Sequence, residues 1–275
     1  MEPTAYRQFL ELERTHWWFR GRRTVYFGLL AHELAGERPA RVLDLGCGNG
    51  GFLPGLAEIA DRVFPSDISA ESLVHCADRG FPGGVVSSGY ALPYADESFD
   101  LVCMFDAIEH IEDDQRVLRE VARILKPGGR ILVTVPAYQF LYANNDRIAQ
   151  HYRRYDRPML RRIFAGADLQ VRRITHTNVF LFPLILPTVL ALKVVERLFP
   201  RKLDPDHTNL SWPVPAFVQN VLHGIFAAEL PFSKRFDWPA GSAAAGPRPR
   251  SCAPGTVGSQ PFRRTGVSLR TVSSS

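Results

Sequence analysis

The chain has 275 residues, of which 45% are hydrophobic, enough for one large domain or one domain with an appended subdomain. Its formal net charge is +5, and five arginines with no acidic residue follow Asp237. The remaining body is therefore close to neutral, and nucleic acid is not an expected partner. The four cysteines show no paired or metal-ligand spacing, and no basic and apolar leader opens the chain. These features predict a cytoplasmic protein without a metal site.

Strand-length apolar runs alternate with helical patterns between residues 41 and 177. The predicted strands read RVLDL, RVFPSD, GVVSS, DLVCMFD, RILVTVP and LQVRRITHT. The predicted helices cover residues 52–60, 70–79, 113–125 and 157–165. This alternation predicts a doubly wound α/β fold, with a mostly parallel sheet and helices on both of its faces.

The flanks of this core divide into three further regions. Residues 1–40 read as an N-terminal helical lid or cap before the core of residues 41–177. Residues 178–240 read as a helical, apolar extension with helices predicted at 187–198 and 216–229. The polar tail, residues 241–275, is poor in large apolar side chains, so we expect it to be largely disordered.

An uncharged segment, VFLFPLILPTVLAL, occupies residues 179–192 and contains Pro183 and Pro187. Its 14 residues fall short of the about 20 that a membrane-spanning helix needs. We interpret it as a buried helix or an apolar lid. The alternative is a segment that rests on a membrane surface or binds an apolar acceptor.

A glycine-rich loop, VLDLGCGNGG, follows the first predicted strand and precedes a helix. Glycine allows the backbone to turn tightly and to approach a ligand, and the helix N-terminus suits a carboxylate. Asp44 before the loop would repel a pyrophosphate but can balance an ammonium group. The pattern therefore favours an amino-acid ligand such as the methionine end of S-adenosylmethionine. The alternative is that Asp44 only caps loop amides.

Asp67 ends the second predicted strand, about 20 residues beyond the loop, where an acid can accept both hydroxyls of a ribose. Its alternative role is the N-cap of the helix that starts near Ser69. Together with the loop, the ribose role is favoured.

The segments VLDLGCGNG, SDIS, LPYADESFDLV, DAIEHIEDD and LREVARILKPGGRILVTVPA resemble successive motifs of class I S-adenosylmethionine-dependent methyltransferases. HWWFRGRR and HYRRYD resemble one branch of that superfamily. The resemblance implies a seven-stranded sheet, with S-adenosylmethionine across the carboxyl ends of strands one, two and four. The residues that it places at the cofactor are Asp44, Gly46, Cys47, Gly48, Asp67, Ile68, Ser88, Ala91, Asp106 and Ala107.

Two features depart from the family pattern. Many relatives have an acid near Ser88 for the adenine amino group, and this chain has none there. Relatives also end with an antiparallel seventh strand, whereas residues 243–250 read AAAGPRPR, with two prolines and no β-branched residue. We therefore expect the seventh strand to be missing or irregular, which would leave six strands.

Candidates for a general base are His151, His110 and Asp146. His110 follows the fourth strand, and its alternative role is to pack against or cap the next helix. His151 and Asp146 lie in a loop rich in Tyr and Arg after the fifth strand, which we expect to cover the acceptor pocket. His151 is favoured as the base, while Arg153, Arg154 and Tyr155 have a structural salt-bridge cluster as their alternative. His16, Trp17 and Trp18 form either an aromatic lid or a packing anchor.

The predicted activity is methyl transfer from S-adenosylmethionine, by in-line displacement, to a small and partly hydrophobic acceptor. A lipid-linked sugar or a natural-product intermediate would fit, with peripheral membrane contact as a weaker expectation. The alternatives are a catalytically inactive methyltransferase-like binding module and a nicotinamide-dependent oxidoreductase. The oxidoreductase would prefer a G-x-G-x-x-G loop without the preceding acid, whereas this loop reads G-x-G-x-G.

Overall fold

The computed structural model describes residues 12–198 and 214–240 with their side chains, and the backbone of residues 268–273. The strands are β1 (Arg41–Leu45), β2 (Arg62–Asp67), β3 (Val85–Val86), β4 (Phe99–Phe105), β5 (Leu125–Thr134), β6 (Gln170–His176) and β7 (Ser268–Ser273). The helices are α1 (Trp17–Leu34), α2 (Leu53–Ile59), α3 (Ala70–Asp78), α4 (Asp114–Ile124), α5 (Asn144–Ile148), α6 (Arg157–Ala165), α7 (Phe182–Leu198), α8 (Ala216–Ala227) and α9 (Leu230–Ser233).

The strands form one sheet in the order β3-β2-β1-β4-β5-β7-β6. Every pair of neighbouring strands is parallel. The chain runs outward from β1 to β2 and β3 on one side, and then returns to continue with β4 on the other. In such a sheet a crevice opens beyond the carboxyl ends of β1 and β4, which is where ligands bind in open α/β folds.

The tail departs from the expectations in two ways. Residues 268–273 are a strand, so the prediction of disorder is wrong for them, and residues 241–267 lie outside the described residues. β7 pairs in parallel with both β5 and β6, whereas the resemblance implied an antiparallel last strand. β7 lies between β5 and β6 and runs in the same direction as both. This direction is opposite to the one that the resemblance implied.

Helix α7 begins at Phe182, five residues before the predicted start at Pro187. Pro187 lies inside the helix, and the hydroxyl of Thr188 donates to the Leu184 carbonyl at 2.8 Å. None of the residues of α7 is buried, so the interpretation of this segment as a buried helix is wrong. The next predicted helix, 216–229, ends at Ala227 and is followed by the short α9.

Apolar side chains fill both faces of the sheet. On one face α4 buries Val117, Leu118, Val121 and Ile124, which share one side of the helix. On the other face α1 and α2 pack their apolar sides against β1 and β4. Asp113 caps α4 by accepting from the amide of Arg116 at 3.0 Å. The two layers hold the carboxyl ends of the strands in place around the crevice.

The contact between α1 and α8 depends on a glycine. A Cβ on Gly21 would overlap the ring of Phe226, which is fully buried, whereas a Cβ on Gly224 would meet no heavy atom within 4 Å. We expect Gly21→Ala to lower the free energy of unfolding by about 2 kcal/mol, because overpacking outweighs the better helix propensity of alanine. Gly224→Ala, the matched control, should raise it by about 0.5–1 kcal/mol. Urea unfolding measures both, and equal effects would contradict the close packing.

Candidate active site

A cavity of about 800 Å³ lies at the carboxyl ends of β1, β2 and β4. Helix α1 and the segment between β5 and α6 cover it, and Ile185 and Val189 of α7 line one side. The predicted site residues that line it are Asp44, Gly46, Cys47, Gly48, Asp67, Ile68, Ser88, Asp106, Ala107, His110, Asp146 and His151. One pocket therefore brings together both groups of predicted residues, those for the cofactor and those for the acceptor.

The glycine loop follows β1 directly. Gly46, Gly48 and Gly50 have φ angles of +74°, +51° and +77°, a region that side-chain-bearing residues rarely adopt. A Cβ on Gly46 would lie 2.6 Å from the Cβ of Ala107, so glycine also allows the loop to approach the end of β4. Cys47 in the same loop has its Sγ 3.7 Å from that of Cys76, and both thiols are free.

Asp44 presents a buried carboxyl group beside the loop. Its side chain is 1% exposed, and neither carboxylate oxygen has a hydrogen-bond partner. The alternative that it caps loop amides is therefore wrong. Burial, and then the neighbouring charge of Asp67, raise the pKa of Asp44 to about 8. A buried carboxyl group without a partner favours a cation placed beside it.

Asp67 lies at the carboxyl end of β2 and is 5% exposed. Its Oδ2 accepts from the amide of Gly48 at 2.8 Å, and its Oδ1 accepts from the amide of Ser69 at 2.9 Å. The N-cap of α3 is Ser69 rather than Asp67, so that alternative is wrong in its detail. Asp67 ties the glycine loop to the start of α3, and it still lines the cavity.

The predicted adenine side is only partly assembled. Ile68 is 76% exposed at the cavity wall, and Ser88 accepts from the amide of Tyr90 at 3.3 Å. Ala91 is exposed and is absent from the cavity wall, although its backbone bridges to Ser88. Its predicted contact with the cofactor therefore has no support in this geometry.

Asp106 follows β4 in a left-handed conformation, with φ of +48°. Its amide donates to the Thr134 hydroxyl at 2.9 Å, and that hydroxyl donates to the Asp106 carboxylate at 2.8 Å. Arg22 of α1 forms an ion pair with Asp106 and lies 4.3 Å from the centroid of the Trp18 ring. The sequence analysis missed Arg22, because no periodicity shows which face of α1 reaches the end of β4.

His151 is held by a buried carboxylate at the other end of the cavity. Its Nδ1 lies 2.9 Å from Asp146 Oδ1, and Arg154 Nε donates to the same oxygen at 2.8 Å. Although burial acts to raise it, hydrogen bonds from His151 and Arg154 lower the pKa of Asp146 to about 2. The ionised Asp146 is placed to accept a hydrogen bond from Nδ1–H of His151, and in that tautomer Nε2 carries the lone pair of the ring.

His110 packs edge-on against His151, with ring centroids 4.7 Å apart. Burial, and then the nearby His151 ring, lower the pKa of His110 to about 3. Its Nδ1 is buried without a hydrogen-bond partner, and Asp113 caps α4, so the alternative of His110 as a cap is wrong. His110 is therefore a neutral imidazole on the cavity wall.

Glu109 is a second residue that the sequence analysis missed. It is fully buried, and neither of its carboxylate oxygens has a hydrogen-bond partner. Burial, and then the charge of Asp106, raise the pKa of Glu109 well above its usual range. The donor atoms of Glu109, His110 and His151 lie within 4.8 Å of one another, although the sequence showed no metal-ligand spacing. Its position next to His110 in the sequence was the one feature that could have indicated Glu109 as a site residue.

The HYRRYD segment divides its residues between two roles. Arg153 donates to Asp114 at 2.9 Å, and the buried Tyr155 donates to the same carboxylate at 3.2 Å. These two residues form the structural cluster that was their alternative role. Arg154 instead orients Asp146 beside the cavity.

The N-terminal aromatic residues pack against the protein and also lie on the cavity wall. His16 caps α1 by accepting from the amide of Trp18 at 3.3 Å, and Trp17 packs 6.4 Å from the ring of Phe226. His16, Trp17 and Trp18 also line the cavity. They therefore anchor α1 and close one side of the pocket.

Residues 43–133 match the family model described as a methyltransferase domain. The chain is 36% identical over 135 residues to a probable S-adenosylmethionine-dependent methyltransferase of Mycolicibacterium smegmatis, covering 48% of this chain and 51% of that one. It is 35% identical over 137 residues to the 27-O-demethylrifamycin SV methyltransferase of Amycolatopsis mediterranei, covering 44% and 50%.

Among solved structures, the fold is similar to that of an S-adenosylmethionine-dependent methyltransferase from Thermotoga maritima. The TM-score is 0.51 at 24% identity, covering 64% of this chain and 84% of that one. The fold is thus the Rossmann-like fold of methyltransferases.

The fold and the glycine-loop site define an α/β protein of the Rossmann-like type. Residues 43–133 match a methyltransferase domain, and the relatives that the chain resembles are named S-adenosylmethionine-dependent methyltransferases, so S-adenosylmethionine is the cofactor that these matches support. The residues present fit that group, because the unpartnered Asp44 carboxyl suits its ammonium and the positive-φ glycines leave room at the loop. The chain spans about half the length of the curated relatives that it matches, 51% and 47% of the first two.

Among the described residues, no helix combines the length and the apolar character needed to cross a bilayer.

Proposed function

We propose that the chain is an active methyltransferase, which moves a methyl group from S-adenosylmethionine to a small, partly hydrophobic acceptor by in-line displacement. The observation that carries this proposal is Asp44, whose buried carboxyl group has no partner beside a glycine loop. Bound S-adenosylmethionine supplies the reactive methyl group. Asp44 would hold its ammonium group, the loop of Gly46, Cys47 and Gly48 its methionine end, and Asp67 its ribose.

The remaining residues of the cofactor end have secondary roles in the proposal. Ile68 and Ser88 would lie beside the adenine. Asp106 and Ala107 bound the methionine side, and Arg22 balances the charge of Asp106. Support comes from the cavity wall, which includes all five of these residues.

Calorimetric titration of S-adenosylhomocysteine into wild type and Asp67→Ala tests the cofactor site. We expect wild type to bind at micromolar concentration and the variant to bind about 10- to 100-fold more weakly, the scale of lost hydrogen bonds to a charged group. Glu71→Ala, which removes an exposed acid from α3, is the control and should bind like wild type. Because Asp67 also holds loop amides, thermal unfolding of the ligand-free variant checks that the fold persists.

A well-folded wild type that binds neither S-adenosylmethionine nor S-adenosylhomocysteine would contradict the proposal. It would favour the alternative of an inactive binding module.

We propose that His151 is the general base wherever the acceptor nucleophile carries a proton. Its Nε2 would take that proton, while Asp146 positions the ring and stabilises the imidazolium that forms. His110 would present a neutral ring nitrogen to the acceptor. Helix α1 and the apolar residues of α7 would exclude water from the reacting atoms.

The proposed acceptor class is a lipid-linked sugar or a natural-product intermediate. Aromatic residues and Ile185 and Val189 on the cavity wall support a partly apolar acceptor. One relative is named for a rifamycin substrate, which is consistent with this class. The free thiols of Cys47, Cys76 and Cys103 support a reducing compartment such as the cytoplasm.

The proposed architecture of the working enzyme is the seven-stranded sheet with a helical insertion between β6 and β7. Support comes from the β7 ladder with both neighbours and from the packing of α8 on α1.

A further inference from the structure

Helix α7 carries an apolar surface on the side that faces away from the protein. Its inner side is half-buried, and Ile185 and Val189 on that side line the cavity. Among its exposed residues only Thr188 and Arg197 are polar. Leu184 is 64% exposed and Leu198 is 66% exposed. An amphipathic helix at a water-exposed surface normally shows the opposite arrangement, with its polar side chains outward.

Helix α8 shows a similar arrangement independently. The polar side chains of Gln219, Asn220 and His223 face α1, where Gln219 accepts from the Trp17 amide at 2.7 Å and Asn220 accepts from Arg20 at 2.8 Å. His223 lies 3.3 Å from the Thr24 hydroxyl. The apolar residues Phe217, Val218, Val221 and Ile225 are exposed on the other side, with Phe217 at 77%.

The segment before α7 meets the short helix that follows α8. Phe180, just before α7, contacts the ring of Phe232 on α9, with centroids 5.9 Å apart. Phe232 and Phe236 are themselves about half exposed, at 48% and 59%. We call the exposed apolar residues of these helices the apolar outer face. Its main members are Leu184, Leu190, Val194, Phe217, Val221 and Phe232.

Cationic side chains accompany this face. Arg197 is exposed at the end of α7, and Lys234 and Arg235 lie between Phe232 and Phe236. Within the part of the chain that the structure describes, none of the three forms an ion pair. Asp237, the nearby acid, is paired with Arg173 at 2.8 Å. Apolar residues together with unpaired cations are typical of surfaces that bind anionic lipid headgroups.

We propose that the apolar outer face docks on an anionic lipid bilayer, with α7 lying in the plane of the interface. The charge complementarity favours a bilayer over a second copy of the chain, whose own cations would meet the same cations. Because the inner side of α7 lines the cavity, docking would bring the cavity next to the membrane. An amphiphilic acceptor would then reach it without crossing water. This route for the acceptor rests on the proposed function, whereas the docking itself does not.

Flotation of the full chain with two kinds of vesicle tests the docking. One kind contains phosphatidylcholine alone, and the other contains equal parts of phosphatidylcholine and phosphatidylglycerol. We expect wild type to float with the anionic vesicles and to bind the neutral ones weakly. Phe217→Ser and Leu184→Ser should each lower the partition coefficient on the order of tenfold. Lys234→Gln with Arg235→Gln should lower it about fivefold for each charge removed.

Val74→Ser is the matched control, since Val74 is 59% exposed on α3, away from this surface. It should partition like wild type. Failure of wild type to float with anionic vesicles, or equal flotation of all variants, would overturn the proposal. Self-association that Phe217→Ser abolishes, seen by sedimentation velocity without vesicle binding, would assign the face to a second copy instead. S-adenosylhomocysteine binding is measured on the same samples, so loss of docking and loss of the methyltransferase site are told apart.

Discussion

Replacing Asp44 by Asn is expected to weaken binding of S-adenosylmethionine by about 10- to 100-fold, the effect of losing a charged hydrogen-bond partner. The substitution keeps the shape of the side chain and removes its ability to ionise when the ligand binds. Asp44 is 1% exposed and without a hydrogen-bond partner, so its carboxyl group is available to a ligand. Calorimetric titration measures the change, with Asp78→Asn, the same substitution at an exposed position of α3, as the control.

The raised pKa of Asp44 makes this binding pH-dependent. With a pKa of about 8 in the free protein, Asp44 is protonated at neutral pH and must ionise to hold an ammonium group. Binding should therefore release up to about one proton below pH 8, and the affinity should rise as the pH increases toward 8. Titrations in buffers of different ionisation enthalpy measure the proton. Asp44→Asn should release none, and release equal to wild type would assign the proton to another group.

The raised pKa of Asp44 also makes the stability of the ligand-free protein depend on pH. A carboxyl group whose pKa is higher in the folded than in the unfolded protein binds more protons when folded, so stability falls as pH rises between about 4 and 8. Ligand-free Asp44→Asn should therefore be more stable than wild type above pH 8, by roughly 5 kcal/mol for a pKa rise of about four units. A variant that is less stable at every pH would indicate that Asp44 supports the fold, contrary to its unpartnered state.

The second large effect is expected at His151. Once an acceptor with an ionisable nucleophile is identified by release of S-adenosylhomocysteine, His151→Gln should lower kcat by ~10²–10⁴-fold, the contribution of a general base. Binding of S-adenosylhomocysteine should not change, because His151 lies at the acceptor end of the cavity. His75→Gln on α3 is the control.

Asp146→Asn tests the positioning role. Because Asp146 holds Nδ1 of His151, its loss should lower kcat less than loss of His151 and should alter the pH profile, while KM for the cofactor stays unchanged. The possible metal-ligand atoms of Glu109 and His110 lie close to His151, so loss of a bound metal ion is a rival explanation for reduced activity in these variants. Full activity in EDTA would exclude that rival, whereas unchanged kcat in His151→Gln would contradict the base.

Local sequence determined the elements of the core and the cofactor loop. Alternation of apolar runs with helical patterns placed β1, β2 and β4 within one or two residues. It could do so because a short run of apolar residues is typical of a strand buried in a parallel sheet. The loop after β1 was recognisable because its chemistry is encoded in consecutive residues: an acid, then glycines whose positive φ angles only glycine adopts freely. The same holds for α6, predicted at 157–165 and observed at Arg157–Ala165.

Features that depend on distant contacts were not predictable in this way. The apolar segment at 179–192 reads as buried, because periodicity reports hydrophobicity and not which side faces a neighbour. Only the packing showed that α7 and α8 turn apolar residues outward. The strand at residues 268–273 was also not predicted, because we expected the seventh strand to be missing or irregular. Its parallel pairing depends on where the chain enters the sheet and not on its own residues.

The sequence by itself determined the fold class, the cofactor and the position of the cofactor loop, because each depends on short segments with their own backbone and charge requirements. The tertiary structure decided which side chains meet at the acceptor end. Arg22, Glu109 and Asp146 come from α1, from the turn after β4 and from α5, and only the sheet brings these separated segments around one cavity. Burial in that cavity, which no sequence pattern measures, is also what raises the pKa of Asp44 and leaves Glu109 without a partner.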